Sequence, residues 1–302
     1  MYSIETVKVD EIKEVTELVK QVFDAYVGIE YSEEGKRSFY YFVDAMKNRE
    51  TVIYVAKVDQ KIVGMIEMKK NHICLWFVHS NYLHQGIGKA LFNRATSNLL
   101  CELSVNASNY AIKAYESLGF KRTGNLQEKD GIVFLPMIKD SPVIIEPECE
   151  NDYKFIARVL QASFKSDEEM NLVNQLRETE EYIPELSLVA KYNNRIIGHC
   201  MLTKVTINHH HGYLALAPVA VDPDFQAKSI GSQLIKESIS RAKEYKGIVL
   251  LGHQDYYPRF GFVKASNYGI KCPFEVPDEN YMYLELNGFE SGTVKYSEAF
   301  GV

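Results

Sequence analysis

No two cysteines of this chain stand close enough to make a Cys-x-x-Cys pair. The five are Cys74, Cys101, Cys149, Cys200 and Cys272. An odd count at such wide spacing argues against a disulfide framework and a zinc knuckle, and for a reducing compartment. No stretch reaches the roughly 18 apolar residues of a membrane span. The opening Met1-Tyr2-Ser3-Ile4-Glu5 has no apolar run with a basic flank, so no signal peptide is expected. A cytoplasmic protein without a membrane partner is the expectation. Basic charge is not in excess either. Lys and Arg number 34 against 40 Asp and Glu, a formal net charge of −6. A nucleic-acid partner needs the opposite balance. The acidic balance fits a cationic substrate weakly, and solubility alone accounts for it.

A chain of 302 residues is long for one core and suits two domains of roughly 150. A hydrophobic share of 46% with 25% charged residues is ordinary for a globular protein. The order of motifs is less ordinary. Residues 115–120 read Tyr-Glu-Ser-Leu-Gly-Phe and residues 257–262 read Tyr-Pro-Arg-Phe-Gly-Phe. The shared Tyr-x-x-x-Gly-Phe recurs at an offset of 257 − 115 = 142 residues. Upstream of each copy is a small-residue turn, Gly86-Ile87-Gly88 and Ser229-Ile230-Gly231, offset by 231 − 88 = 143. A repeated order with nearly constant offset is a duplication, and two copies are too few for a solenoid.

The elements between the motifs follow the same plan. Ile12, Val15, Leu18, Val19, Val22 and Phe23 recur at helical spacing over residues 10–26. A polar stretch from Gly28 to Gly35 precedes a second helical pattern near residues 37–48. Residues 51–57 and 62–68 read as two strands joined by a tight turn, and residues 72–79 as a third, buried strand. A helix after the glycine turn carries Ile87, Leu91, Ala95 and Leu99 on one face. A strand near residues 100–105, a helix stopping at Gly119 and a strand near residues 132–138 close the first half. Residues 139–142 read as a linker, giving domains 1–140 and 141–302. In the second half, the strands around Asn193-Asn194 match those around residues 59–61 at an offset of 198 − 64 = 134, and Tyr213 to Val221 matches residues 72–79. The rise in offset predicts a longer hairpin there.

Each small-residue turn follows a strand and opens a helix. Glycine lets backbone approach a ligand, and the free N–H groups of a helix start favour an anion. Lys89 and Lys228 lie within reach of a phosphate. Neither turn is a Walker loop or a GxGxxG dinucleotide fingerprint.

At these residues the chain resembles the GNAT superfamily of acyl-CoA-dependent N-acetyltransferases. Members carry (Gln/Arg)-x-x-Gly-x-(Gly/Ala) between the fourth strand and the following helix. The run from Val105-Asn106 to Tyr115, ending in Gly119-Phe120, matches the family too. Residues 252–262, with Pro273-Phe274, Pro277-Asp278, Leu284-Glu285-Leu286 and residues 296–300, resemble its YhbS-like branch. The resemblance implies an α/β fold of two tandem domains. Each would have a mixed, largely antiparallel central sheet flanked by helices, with a cofactor cleft between splayed fourth and fifth strands.

It implies acetyl-CoA as co-substrate and a primary amine of a small molecule or peptide as acceptor, and leaves a homo-oligomer open. In the first half it assigns Val78, His84, Gln85, Gly86, Ile87, Gly88, Lys89 and Asn106 to the cofactor. In the second half it assigns Val219, Val221, Gln226, Ala227, Lys228, Ser229, Ile230, Gly231 and Ser232. Asn106 would hold the pantetheine arm, or serve only as a turn residue. A backbone N–H of the splayed strand would serve the oxyanion, and Tyr115 and Tyr257 would protonate the leaving sulfur. The bland alternative is that each Tyr packs beside Phe120 or Phe262.

Both copies depart from the pattern. Leu83 replaces the leading Gln or Arg, and Ser229 replaces the first glycine, tolerable if its φ is negative. A second reading is therefore an acyl-CoA-binding scaffold or sensor in which one or both halves have lost chemistry. Pro218 suits a strand opening toward a cofactor, or an edge strand. Glu67, His79 and His199 lie near the right strands for a general base but read as solvent-facing. His209-His210-His211 reads as a turn or strand entry rather than a metal site, since neighbours alternate faces. No metal is expected. Acidic and aromatic residues near 24–36 and 165–185 suit a cation or solvent equally.

Overall fold

The structure is a computed structural model that describes residues 2–301. The chain divides into two compact units, the first ending at Pro142 and the second beginning at Val143. The Ser141 hydroxyl donates to the Leu100 carbonyl at 3.1 Å, so the start of the expected linker belongs with the first unit. Among the described residues no helix is long and apolar enough to cross a membrane.

The first unit runs β1 (Ser3–Thr6), α1 (Ile12–Tyr26), α2 (Glu33–Asp44), β2 (Val52–Val58), β3 (Lys61–Lys69), β4 (His72–Val78), α3 (Ile87–Thr96), β5 (Leu103–Ala107), α4 (Ile112–Ser117), β6 (Lys121–Arg122), β7 (Gln127–Lys129) and β8 (Ile132–Lys139). Its sheet order is β1-β2-β3-β4-β5-β8-β6, with β7 on β8. Every pairing is antiparallel except β4–β5. The apolar stripe of α1 buries Val15, Leu18, Val19, Val22 and Phe23 on one face of the sheet. Ile87, Leu91 and Phe92 of α3 are buried on the other.

The second unit runs β9 (Ile144–Pro147), α5 (Tyr153–Phe164), α6 (Glu168–Arg177), β10 (Tyr182–Tyr192), β11 (Arg195–Ile207), β12 (His210–Val221), α7 (Ile230–Arg241), β13 (Gly247–Leu251), β14 (Val263–Lys264), β15 (Ile270–Lys271), β16 (Tyr281–Glu285) and β17 (Gly292–Lys295). Its sheet order is β14-β16-β13-β12-β11-β10-β9, with β17 on β11 and β15. Here β12–β13 is the parallel pair at the centre. Each unit is thus a mixed, mostly antiparallel sheet with helices on it, as the resemblance implies. The hairpin β11–β12 is longer than β3–β4, as the change of offset predicts. It turns at Asn208 and His209, both at positive φ, and His210 and His211 enter the strand.

Two expectations shift. The second helix begins at Glu33 because Ser32 caps it, its hydroxyl accepting from the Gly35 N–H at 3.1 Å. Gly35 therefore lies inside α2 rather than in a loop. A Cβ there would stand 2.0 Å from the Gly131 carbonyl oxygen, so glycine is what lets α2 press against the β7–β8 turn. The strand at 72–78 is not uniformly buried. Ile73 and Leu75 are buried, while the residues around them are half-exposed and face a cavity.

Candidate active site

The site begins where two parallel strands part. β4 and β5 pair only at His72 with Ser104 and Ile73 with Val105. A bulge then inserts Cys74, so that Leu75 faces Glu67 while Ile73 faces Met68. Bulges bend a strand and end its pairing on one side. β12 and β13 repeat the arrangement, pairing only from Tyr213 to Ala215 with Gly247 to Val249. A bulge follows, with Leu216 opposite Leu202 and Val219 opposite Cys200. Pro218 lies inside that bulge on an interior strand, which rules out the edge-strand reading. It lacks an N–H where the ladder has already opened.

In the first unit this gap continues into a cavity of about 820 Å³. Val78, His84, Gly86, Ile87, Gly88, Lys89, Asn106 and Tyr115 all line it. Gln85 does not. Its amide turns back and donates to the Asn81 carbonyl at 3.0 Å. Gly86 caps α3 at φ 80, and no side chain caps the first-turn amides. The mouth of the cavity therefore meets a bare helix N-terminus, a site for an anion. Tyr115 is 4% exposed, its ring 5.3 Å from those of Trp76 and Phe120. Packing beside Phe120 and facing the cavity are thus compatible. Burial pushes its phenol well above the ordinary tyrosine range, so it stays protonated at neutral pH.

The second turn adopts the same backbone with other residues. His84 and Gly86 have φ 60 and 80, and Ala227 and Ser229 have φ 59 and 66. The condition of negative φ at Ser229 is not met: closing this turn demands the left-handed region whatever residue stands there. A Cβ in that region is strained, at about 1 kcal/mol. We expect Ser229→Gly to raise stability by about 0.5–1 kcal/mol, read as a higher urea midpoint. An unchanged or lower midpoint would contradict this backbone.

Other members of the second set are engaged locally. The Lys228 ammonium donates to the Asp224 carbonyl at 2.9 Å and lies 5.1 Å from the Phe225 ring centroid. It holds its own loop rather than standing free for a phosphate. The Gln226 amide donates to the Val221 carbonyl at 3.2 Å. Val219 and Val221 are half-buried on β12, Ile230 is buried, and Gly231 and Ser232 sit in the first turn of α7. The Tyr256 hydroxyl stands 3.3 Å from Ser232 Oγ, over that turn. At the offset of 142 its counterpart is Ala114, so the approach to the second helix start is far more filled. Tyr257 packs 5.9 Å from the Phe262 ring. Burial first, then Tyr256 and Cys200, pushes its phenol up to about 12.

Two of the three base candidates, Glu67 and His199, are not solvated residues. Glu67 is fully buried, gripped by Arg49 through two contacts of 2.5 and 2.9 Å and by the Thr51 hydroxyl at 2.7 Å. His79 accepts from the Asn81 N–H at 3.2 Å and so shapes the glycine loop. His199 is fully buried, its Nε2 3.1 Å from Glu148 and 3.2 Å from Ser187. Glu148 also receives Arg177 at 2.8 and 2.9 Å and the Tyr182 hydroxyl at 2.8 Å. Burial alone would raise the Glu148 carboxyl, but the hydrogen bonds from His199 and Arg177 prevail and hold it well below the usual range. The reading of Glu67 and His199 as solvent-facing fails because each is fully buried against a polar partner distant in sequence, Arg49 for Glu67 and Glu148 for His199.

The structure adds residues that motif spacing does not single out. His72 lines the cavity with Nδ1 2.9 Å from Ser104 Oγ, and burial lowers its pKa, keeping the ring neutral. Beyond it, Tyr26, Tyr31, Phe39, Phe42, Phe77, Ile132 and Phe134 wall a second chamber between α1, α2 and β8. The aromatic content of residues 24–36 is its only sequence signal.

Each of the two units is an α/β sheet parted at its central parallel pair beside a helix N-terminus. Residues 27–141 match the acetyltransferase (GNAT) domain model and residues 153–262 the acetyltransferase (GNAT) family model. The uncharacterized N-acetyltransferase YjhQ of Escherichia coli K12 is 34% identical over 137 residues, 43% of this chain and 76% of that protein. The uncharacterized N-acetyltransferase YhbS of the same strain is 30% identical over 167 residues, 52% of this chain and 98% of that protein. The crystal structure of E. coli YhbS in complex with CoA superposes with a TM-score of 0.50 at 28% identity, covering 53% of this chain and 92% of that one. The chain belongs to the GNAT acetyltransferase family and carries two such domains in tandem.

Proposed function

We propose that the first unit transfers an acetyl group from acetyl-CoA to a primary amine. The observation that carries this reading is the single cavity that joins the bare α3 N-terminus, Asn106, Tyr115 and an aromatic chamber. The pyrophosphate would lie on the amides of Gly86 to Lys89, and the pantetheine arm would run between β4 and β5 past Asn106. That E. coli YhbS was crystallised with CoA supports a CoA cofactor for this fold, without choosing between the two units.

The chemistry follows from the groups available. His72, neutral and held by Ser104, takes a proton from the ammonium. The amine nitrogen attacks the thioester carbonyl, and an unpaired β4 amide beyond the bulge stabilises the oxyanion. The C–S bond breaks as Tyr115 protonates the sulfur, and the nitrogen loses its second proton. The products are an N-acetylamine and free CoA thiol, with one net proton released.

A second reading applies to the second unit, as a cofactor-binding or supporting half without acceptor chemistry. Two observations favour it. Tyr256 stands over the α7 start, and Ala299 and Phe300 pack against the α5–α6 core cluster. Thiol release from acetyl-CoA, followed with a panel of primary amines, tests the transfer reading. We expect amine-dependent thiol. Binding of acetyl-CoA with no thiol from any amine would leave the scaffold reading in its place.

A further inference from the structure

We infer that the acceptor of the first unit is a primary monoamine carrying an aryl group. This deepens the transfer reading and rests on it. Past the gap between β4 and β5, the cavity widens against Tyr26, Tyr31, Phe39, Phe42, Phe77 and Phe134. Six aromatic side chains, from two helices, the connection between them and two strands, offer a ring both faces and edges to pack on. Burying apolar surface there is favourable, and only a few polar groups are needed to orient the ligand.

The charges point the same way. Of all the residues lining the cavity, Asp130 is the one carboxylate, and it adjoins Lys129; Lys89 adds a second cation at the phosphate end. A polyamine or an aminoglycoside brings several ammonium groups, each of which loses its water on entry. One carboxylate cannot compensate them. A monoamine brings a single ammonium and so the smallest such cost.

The chamber is also preformed. The Tyr31 hydroxyl donates to the Val133 carbonyl at 3.0 Å, tying the α1–α2 connection to β8. The backbone contact of Gly35 with Gly131 fixes α2 against the β7–β8 turn. Phe39 stacks on Phe23 with ring centroids 3.8 Å apart. A rigid aromatic wall need not be ordered on binding, which favours a rigid flat ligand over a flexible polycation.

The test uses the full chain, acetyl-CoA and three probes: 2-phenylethylamine, spermidine and an aminoglycoside. We expect kcat/KM for 2-phenylethylamine to exceed that of either polycation by about tenfold or more. Tyr26→Ala should raise the KM for 2-phenylethylamine about tenfold and leave the Kd of acetyl-CoA within about twofold. A readout independent of turnover exists, because Trp76, the chain's single tryptophan, lines the cavity. With CoA bound, its fluorescence should saturate with 2-phenylethylamine and not with spermidine. Faster turnover of a polycation overturns the inference while leaving the transfer reading intact. So does thiol release from other amines with no Trp76 response to 2-phenylethylamine. Failure of acetyl-CoA itself to bind by titration calorimetry removes both.

Discussion

Tyr115→Phe should lower kcat by about 100-fold or more, the range expected for loss of a positioned general acid. The Kd of acetyl-CoA should stay within about twofold, because the variant keeps the ring and removes only the hydroxyl. Tyr115 is enclosed by Trp76 and Phe120 and still lines the cavity, which is the geometry the proposed acid role requires. Burial raises its pKa, so the acid form persists from neutral pH through the ordinary tyrosine range, and loss of this proton is confined to stronger alkali. Tyr257→Phe should leave turnover within about twofold, since its half has Tyr256 over the helix start. Steady-state kinetics of the two variants separates the halves. Full activity in Tyr115→Phe would falsify the acid assignment, and a selective loss in Tyr257→Phe would move the chemistry to the second unit.

Glu148→Gln should destabilise the second unit by about 3–5 kcal/mol, the cost of breaking a buried ion pair from one side. The Glu148 side chain is fully buried and that of Arg177 is 5% exposed. Glutamine would leave the Arg177 guanidinium without a compensating charge and would replace the carboxylate oxygen that meets His199. His199 Nδ1 already lacks a partner among the described residues, so the cluster has little reserve. The single tryptophan separates the units experimentally. Trp76 lies in the first, so its fluorescence transition in urea should hold its midpoint while the far-UV circular dichroism transition of the second unit moves down.

The pH dependence carries a sign. The folded-state pKa of Glu148 is depressed, so its contribution is fully present above the unfolded carboxyl value of about 4.5 and is lost as pH falls toward the folded value. Wild-type stability should therefore drop on acidification below about pH 4.5, and Glu148→Gln should flatten that drop. A variant as stable as wild type at neutral pH would show that the pair contributes nothing.

Part of the site is a local matter, and there the sequence suffices. Gly86-Ile87-Gly88, Asn106 and Tyr115 line one cavity, and each is placed largely by its own strand, turn or helix start. The duplication is legible for the same reason: matched offsets need no knowledge of packing. Ser229 marks the edge of that legibility. Serine is comfortable there only at negative φ, but the closure of the turn decides the angle, and it is positive. Gln85 and Lys228 read as ligand-facing by position, yet each turns back to a carbonyl four residues earlier.

The sequence by itself determined the family, the two-domain plan, the matched turns before α3 and α7 and the repeated tyrosine, all of which rest on patterns among near neighbours. Only the tertiary structure decided what surrounds them. Tyr31 meets Val133 across 102 residues and His199 meets Glu148 across 51. The aromatic chamber, the neutral His72 and the buried Glu148 cluster come from such long-range closures. A side chain's partners, and with them its charge state and its exposure to a ligand, are set by which distant elements pack on it, and no spacing along the chain encodes that.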